Sequence, residues 1–165
     1  MLIDTHCHLT DERLAPEAED IIASMPADGL SDIVTVGYDR ASSLAGLALA
    51  EAHERVWCTL GVHPHDADKW DGDTLREFRS LAAHPKVVAV GEIGLDYFYD
   101  LSPREVQKEV FRAQLALADE CGLPACLHVR DAYGDCLDIL TECRGLLTHG
   151  VLLHCYSGSA EMVRE

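Results

Sequence analysis

No stretch of this chain approaches the roughly 20 consecutive apolar residues that a membrane-spanning helix needs. The first apolar run contains Asp4 and has no basic region before it. It therefore does not read as a secretory signal, and a cytoplasmic protein with no membrane partner is expected. The seven cysteines include no C-x-x-C, which points to reduced, mostly buried thiols rather than a redox pair. Basic residues are scarce: 13 Lys and Arg stand against 29 Asp and Glu, for a net charge of −16. A general basic footprint for nucleic acid is absent, which excludes tight non-specific DNA binding. Phosphodiester chemistry stays open, because bound cations can supply the local positive charge.

What is present suits one globular domain over residues 1–165, with 48% hydrophobic residues and enough length for a sizeable core. Strand-like apolar runs recur at Leu2 to Asp4, Ile33 to Val36, Val56 to Leu60, Val87 to Val90, Ala125 to Leu127 and Val151 to Leu153. Several are continuous rather than alternating, as in parallel strands buried on both faces. Helical patterns lie between them. The clearest runs from Pro103 to about Cys121, with Ser102 as N-cap, Glu105 completing a capping box, an apolar stripe of Val106, Val110, Ala113 and Leu117, and Gly122 as the stop. Further helices are expected over Pro16 to Met25, Ala41 to His53, Thr74 to Ala83 behind an Asp73 cap, and Ala132 to Cys143. Another begins at Ala160 and runs toward Glu165 behind Ser159. This β-α alternation predicts a parallel sheet with right-handed crossovers.

In such sheets functional groups gather at the carboxyl ends of the strands. The first strand ends in His6-Cys7-His8, whose two imidazoles share a strand face and suit a transition metal. Taken alone, that pair reads better as two partly buried histidines bonded to backbone. The later strand ends decide between the readings. They carry Gly61-Val62-His63-Pro64-His65, Gly91-Glu92-Ile93-Gly94-Leu95-Asp96, His128-Val129-Arg130-Asp131 and His154-Cys155-Tyr156-Ser157-Gly158. Five strands that each deliver a His or Glu at the same end read jointly as a metal centre. Glu92, between two glycines, can reach into a crowded site and bridge two cations. Arg130 is placed to contact a phosphate or to pair with Asp131 or Asp96. Asp96 is placed to orient a ligand histidine or simply to start a loop. Tyr97 and Tyr156 could stack on bases or simply pack.

These five motifs, in this order and over essentially the whole chain, resemble the TatD family of metal-dependent deoxyribonucleases, among the amidohydrolase-like TIM-barrel hydrolases. The resemblance implies a (β/α)8 barrel and two divalent ions (Mg, Mn or Zn). His6 and His8 would hold one ion, Glu92 would bridge, and His128 and His154 would hold the second. His63 and His65 would lie near the substrate phosphate. It also implies 3′-to-5′ hydrolysis of DNA or another phosphodiester. Two features depart from the family. Only about six βα units can be counted, so the barrel is expected to be incomplete, lacking strands seven and eight as in a C-terminally truncated chain. The Glu-Thr-Asp motif expected after strand seven, whose Asp would complete the first site and serve as general base, has no counterpart in the sequence. Six strands would leave barrel edges open to self-association. The alternatives are a hydrolase of C–N bonds or small phosphoesters and an inactive fragment. The former often bridges its metals with a carboxylated lysine, but Lys69, Lys86 and Lys108 all lie away from the strand ends.

Overall fold

The computed structural model describes residues 1–164. Six strands form one parallel sheet in sequential order: β1 (Leu2–Cys7), β2 (Leu30–Thr35), β3 (Val56–Leu60), β4 (Val87–Asp96), β5 (Ala125–Arg130) and β6 (Val151–Leu153). Five α-helices connect them: α1 (Ala18–Ser24), α2 (Arg40–Ala52), α3 (Gly72–Leu81), α4 (Arg104–Cys121) and α5 (Tyr133–Glu142). This is five βα units of the (β/α)8 type followed by a sixth strand. Among the described residues β1 pairs only with β2 and β6 only with β5. Leu2, Ile3, Val151 and Leu152 on these outer strands are accordingly exposed.

The central strands account for the continuous apolar runs. Val90, Ile93 and Leu95 of β4 and Leu127 of β5 are fully buried. They pack with Leu60, Phe78, Phe111 and Leu115 in the main core, as expected for strands covered on both faces. β4 extends six residues beyond the run seen in the sequence, so Glu92 lies inside a strand rather than after one.

Local signals were partly misplaced in the sequence. α4 starts at Arg104 with Pro103 at the cap position and no side-chain cap. Ser102 instead turns inward, and its hydroxyl donates to the His65 carbonyl at 2.9 Å. A capping box does form, but on α2: Asp39 accepts from the Ser42 amide, and Ser42 Oγ accepts from the Asp39 amide. α3 is capped by Asp71, not Asp73. The first expected helix splits into a 3-10 turn (Ala15–Glu17) and α1. The last expected helix is a 3-10 turn over Met162–Arg164, with Ser159 Oγ accepting from the Met162 amide; Glu165 lies outside the described residues. The buried stripe of α4 is rotated from the expected one. Gln107, Val110, Phe111, Gln114, Leu117 and Ala118 face inward, whereas Val106 and Ala113 are half-buried.

All seven cysteines are free. Burial pushes the thiols of Cys7, Cys58, Cys126 and Cys136 up to about 12, while Cys155 is exposed. A thiol-reactive chromogenic disulfide at pH 8 should label one cysteine rapidly in the native chain and all seven in denaturant. Several fast native thiols would show that the core assignment is wrong.

Candidate metal centre

Glu92 is 4% exposed, and its backbone is fixed before its side chain is. Its amide donates to the Gly37 carbonyl at 2.6 Å, just past β2. The buried Thr59 hydroxyl donates to the Gly91 carbonyl and accepts from the Gly37 amide. Gly61 makes the close approach possible: a Cβ there would fall within 3.0 Å of the Gly91–Glu92 backbone.

Three histidines from two strand ends, β1 and β5, converge on the Glu92 carboxylate. His6 Nε2 and His8 Nε2 lie 3.4 and 3.6 Å from Oε2. His128 Nδ1 lies 3.1 Å from Oε1. Two donor groups result, each with its ligand atoms within 4.8 Å of one another: His6, His8 and Glu92, and His63, Glu92 and His128. Glu92 is common to both. His6 Nε2 and His8 Nδ1 are buried without a hydrogen-bond partner. An imidazole nitrogen left in that state is costly unless something binds it, so the donor set fits a cation. On the far side of His6, Cys126 Sγ lies 3.5 Å from Nδ1.

The charges follow from this packing. Burial opposes ionisation of Glu92, but the hydrogen-bonded His128 and the nearby His6 and His63 imidazoles outweigh it and hold the carboxyl far below its ordinary range. Burial, reinforced by His128, pushes His63 down to about 3. His8 and His154 are lowered chiefly by burial. His128 goes the other way: burial is overcome by the Glu92 and Asp96 carboxylates. The lowered His8, His63 and His154 beside an ionised Glu92 match the protonation states that a divalent ion requires, whereas His128 has to give up a proton to bind one.

Asp96 is fully buried at the end of β4. Its Oδ2 lies 2.9 Å from His65 Nε2 and 3.0 Å from His128 Nε2. Its Oδ1 accepts the amides of Phe98 and Tyr99 at 3.0 and 2.8 Å. Burial opposes its charge, but the Tyr99 amide and the two imidazoles keep it ionised.

Of the residues singled out in the sequence, His6, His8, Glu92 and His128 come together. His63 is nearly buried and joins His128 and Glu92. His154 stacks on the His6 ring, with centroids 3.4 Å apart, and lies in neither donor group. His65 sits behind Asp96. Arg130 forms no ion pair with Asp131 or Asp96; its guanidinium covers the rings of Phe98 and Tyr99 at 3.9 and 4.9 Å. Tyr97 is a packing residue whose hydroxyl donates to Asp135 at 2.6 Å. Tyr156 packs on Tyr133. The lysines are engaged elsewhere: Lys69 with Asp66, Lys86 with the carbonyls of His53, Glu54 and Val56, and Lys108 with Glu105 and Asp135.

Two residues of the site's scaffold escaped the sequence reading. Gln114 clamps Val62, accepting from its amide at 2.8 Å and donating to its carbonyl at 2.9 Å. Gln107 does the same for Asp96 at 2.9 and 3.2 Å. They are seven residues apart on one face of α4, so a single helix holds the backbone of both site loops. The available signal was two glutamines at a heptad spacing inside an apolar stripe.

An open pocket of about 490 Å³ lies over these groups, lined among others by His8, His63, His65, Glu92, His128 and His154. Among the described residues no helix is long and apolar enough to cross a membrane.

A family model described as TatD related DNase matches residues 3–165. The chain is 43% identical over 165 residues to the uncharacterized metal-dependent hydrolase YabD of Bacillus subtilis (strain 168), covering 100% of this chain and 64% of that protein. It is 40% identical over 164 residues to the 3′-5′ ssDNA/RNA exonuclease TatD of Enterobacter lignolyticus (strain SCF1), covering 99% and 63%. Among solved structures, YJJV, a TatD homolog from Escherichia coli K12, superposes with a TM-score of 0.90 at 30% identity, over 99% of this chain and 63% of that one. The chain thus spans 63% to 64% of the length of these relatives.

Proposed function

This chain belongs to the TatD related DNase family, and from that membership we propose that it serves metal-dependent hydrolysis of phosphodiester bonds in nucleic acid, with removal of nucleotides from the 3′ end of single-stranded DNA. The same reading treats residues 1–165 as a single metal-dependent hydrolase domain. The observation that carries it is the sharing of one buried carboxylate, Glu92, by two histidine groups, in the first of which the His6 nitrogen facing Glu92 is buried without a hydrogen-bond partner.

In this reading His6, His8 and Glu92 hold one divalent ion, and Glu92 and His128 hold a second. His63 or His154 completes the second set: His63 already lies within that donor group, and His154 stacks on His6 of the first. Divalent cations supply Lewis acidity toward a phosphoryl oxygen and counter-charge for a displacement. The chain's own residues do the rest. Glu92 keeps its negative charge in a buried place, Asp96 holds the His65 and His128 rings at fixed angles, and Arg130 and His65 face the phosphate of the strand. Nitrogen-rich sets favour Mn or Zn over Mg.

The test is a 3′-labelled single-stranded DNA incubated with Mg, Mn or Zn against EDTA, beside a calorimetric Mn titration of the same preparation. Metal-dependent loss of 3′ nucleotides together with two Mn sites per chain is expected. A folded chain that binds no metal, or binds it and leaves the strand intact, would remove the proposal.

A further inference from the structure

Past β4 the chain leaves two large rings in solvent: Phe98 is 55% and Tyr99 52% exposed. They are held rather than loose. Both amides are tied to Asp96 Oδ1, whose other oxygen faces His65 and His128. The two rings meet edge to face with centroids 4.9 Å apart, and the Tyr99 ring lies 5.3 Å from that of His65 at the pocket wall. Arg130, at the end of the neighbouring strand, lies over both rings.

In this acidic chain most arginines reach a carboxylate: Arg13 with Asp11, Arg40 with Glu77, Arg79 with Glu120, Arg104 with Asp100 and Arg112 with Glu142. Arg130 reaches none among the described residues and instead sets its guanidinium carbon over the aromatics. A guanidinium held by rings rather than by a carboxylate keeps its N–H donors free, and they match a phosphate bidentately. The outer faces of the rings suit a base, since every base has a π-face.

We infer that Phe98, Tyr99 and Arg130 form a stacking platform for single-stranded nucleic acid, the rings taking an unpaired base near the 3′ end and Arg130 an adjoining phosphate. This rests on the reading of the site as a nuclease centre and extends it: the aromatic loop is what selects an unpaired strand. Because one carboxylate, Asp96, fixes both the loop and the rings of His65 and His128, the base and the phosphodiester are registered to each other.

The test uses a short oligonucleotide with a phosphorothioate 3′ linkage and 2-aminopurine as its terminal base, with EDTA and separately with Mn. Stacking should quench the 2-aminopurine on binding to the wild-type chain, and a blunt duplex should show no quench. Phe98→Ala and Tyr99→Ala should each weaken binding by about 5- to 150-fold and lose the quench. Neither should weaken binding of the same strand with an abasic 3′ terminus. Arg130→Gln should keep the quench and reduce the slope of log affinity against log salt by about 0.7. Both rings are more than half exposed, so thermal melts of the ring variants should match the wild type. No binding by the wild-type chain, unchanged quenching in the ring variants, or equal losses on the abasic strand would each overturn the platform. Failure of the nuclease reading shows separately, as an intact unmodified strand in Mn with quenching preserved.

Discussion

Replacement of Glu92 by glutamine is expected to lower metal-dependent hydrolysis by about 10³-fold or more, equivalent to about 4 kcal/mol of transition-state stabilisation. The side chain keeps its size, so the cause is confined to charge and donor chemistry. In the native site Oε2 faces His6 and His8 while Oε1 faces His128. Glutamine offers one oxygen and one NH2, so whichever way the amide turns, one histidine group loses its anionic partner and gains a group that repels a cation. The Mn titration should fall from two sites to one or none, with the melting curve in EDTA little changed. Loss of His8 should remove only the first ion, and loss of His63 should bear only on the second, so the three variants form an internal ranking with Glu92 at the top. Full stoichiometry and turnover in Glu92→Gln would mean that the carboxylate is structural and that the cations bind elsewhere.

Much of this site was legible because strand periodicity is so simple. His6 on β1 and His8 just past its end are two residues apart, and the glycines around Glu92 announce a crowded approach that the Gly61 contact bears out. The parallel order of the strands likewise followed from continuous apolar runs. What stayed hidden depends on partners far apart in sequence. Gln114 finds Val62 across 52 residues, and its amide is silent in any periodicity because it satisfies the backbone instead of water. Ser102 looks like a helix cap, yet its hydroxyl has a better use at the His65 carbonyl 37 residues away. Tyr97, adjacent to the conspicuous motif, is open to stacking or packing in the sequence and packs in the structure, whereas the exposed pair is Phe98 and Tyr99. The turn after Asp96 decides which ring faces solvent, and that turn is set by two amides bonded to one carboxylate.

Gly94→Ala should be the most damaging single-methyl change in the sheet, destabilising the chain by about 3–5 kcal/mol and lowering its melting temperature by about 10 °C. Two penalties coincide. Gly94 has φ +135, a conformation open essentially to glycine alone. An added Cβ would also lie closer than 3.0 Å to the His128 carbonyl oxygen, a backbone atom that cannot swing aside. Relief requires β5 to move away from β4, and β5 carries His128, whose ring is positioned between Glu92 and Asp96. Stability and metal binding should therefore fall together, with the His128 side of the site affected before the His6 and His8 side. Gly134→Ala is the matched control: it lies in α5 with nothing within 4 Å of the new methyl, so higher helix propensity should raise stability by up to about 1 kcal/mol and leave metal binding alone. If Gly94→Ala melted with the wild type and bound Mn as tightly, the register that joins β4 to β5 at Gly94 and His128 would be wrong, and with it the placement of His128 beside Glu92.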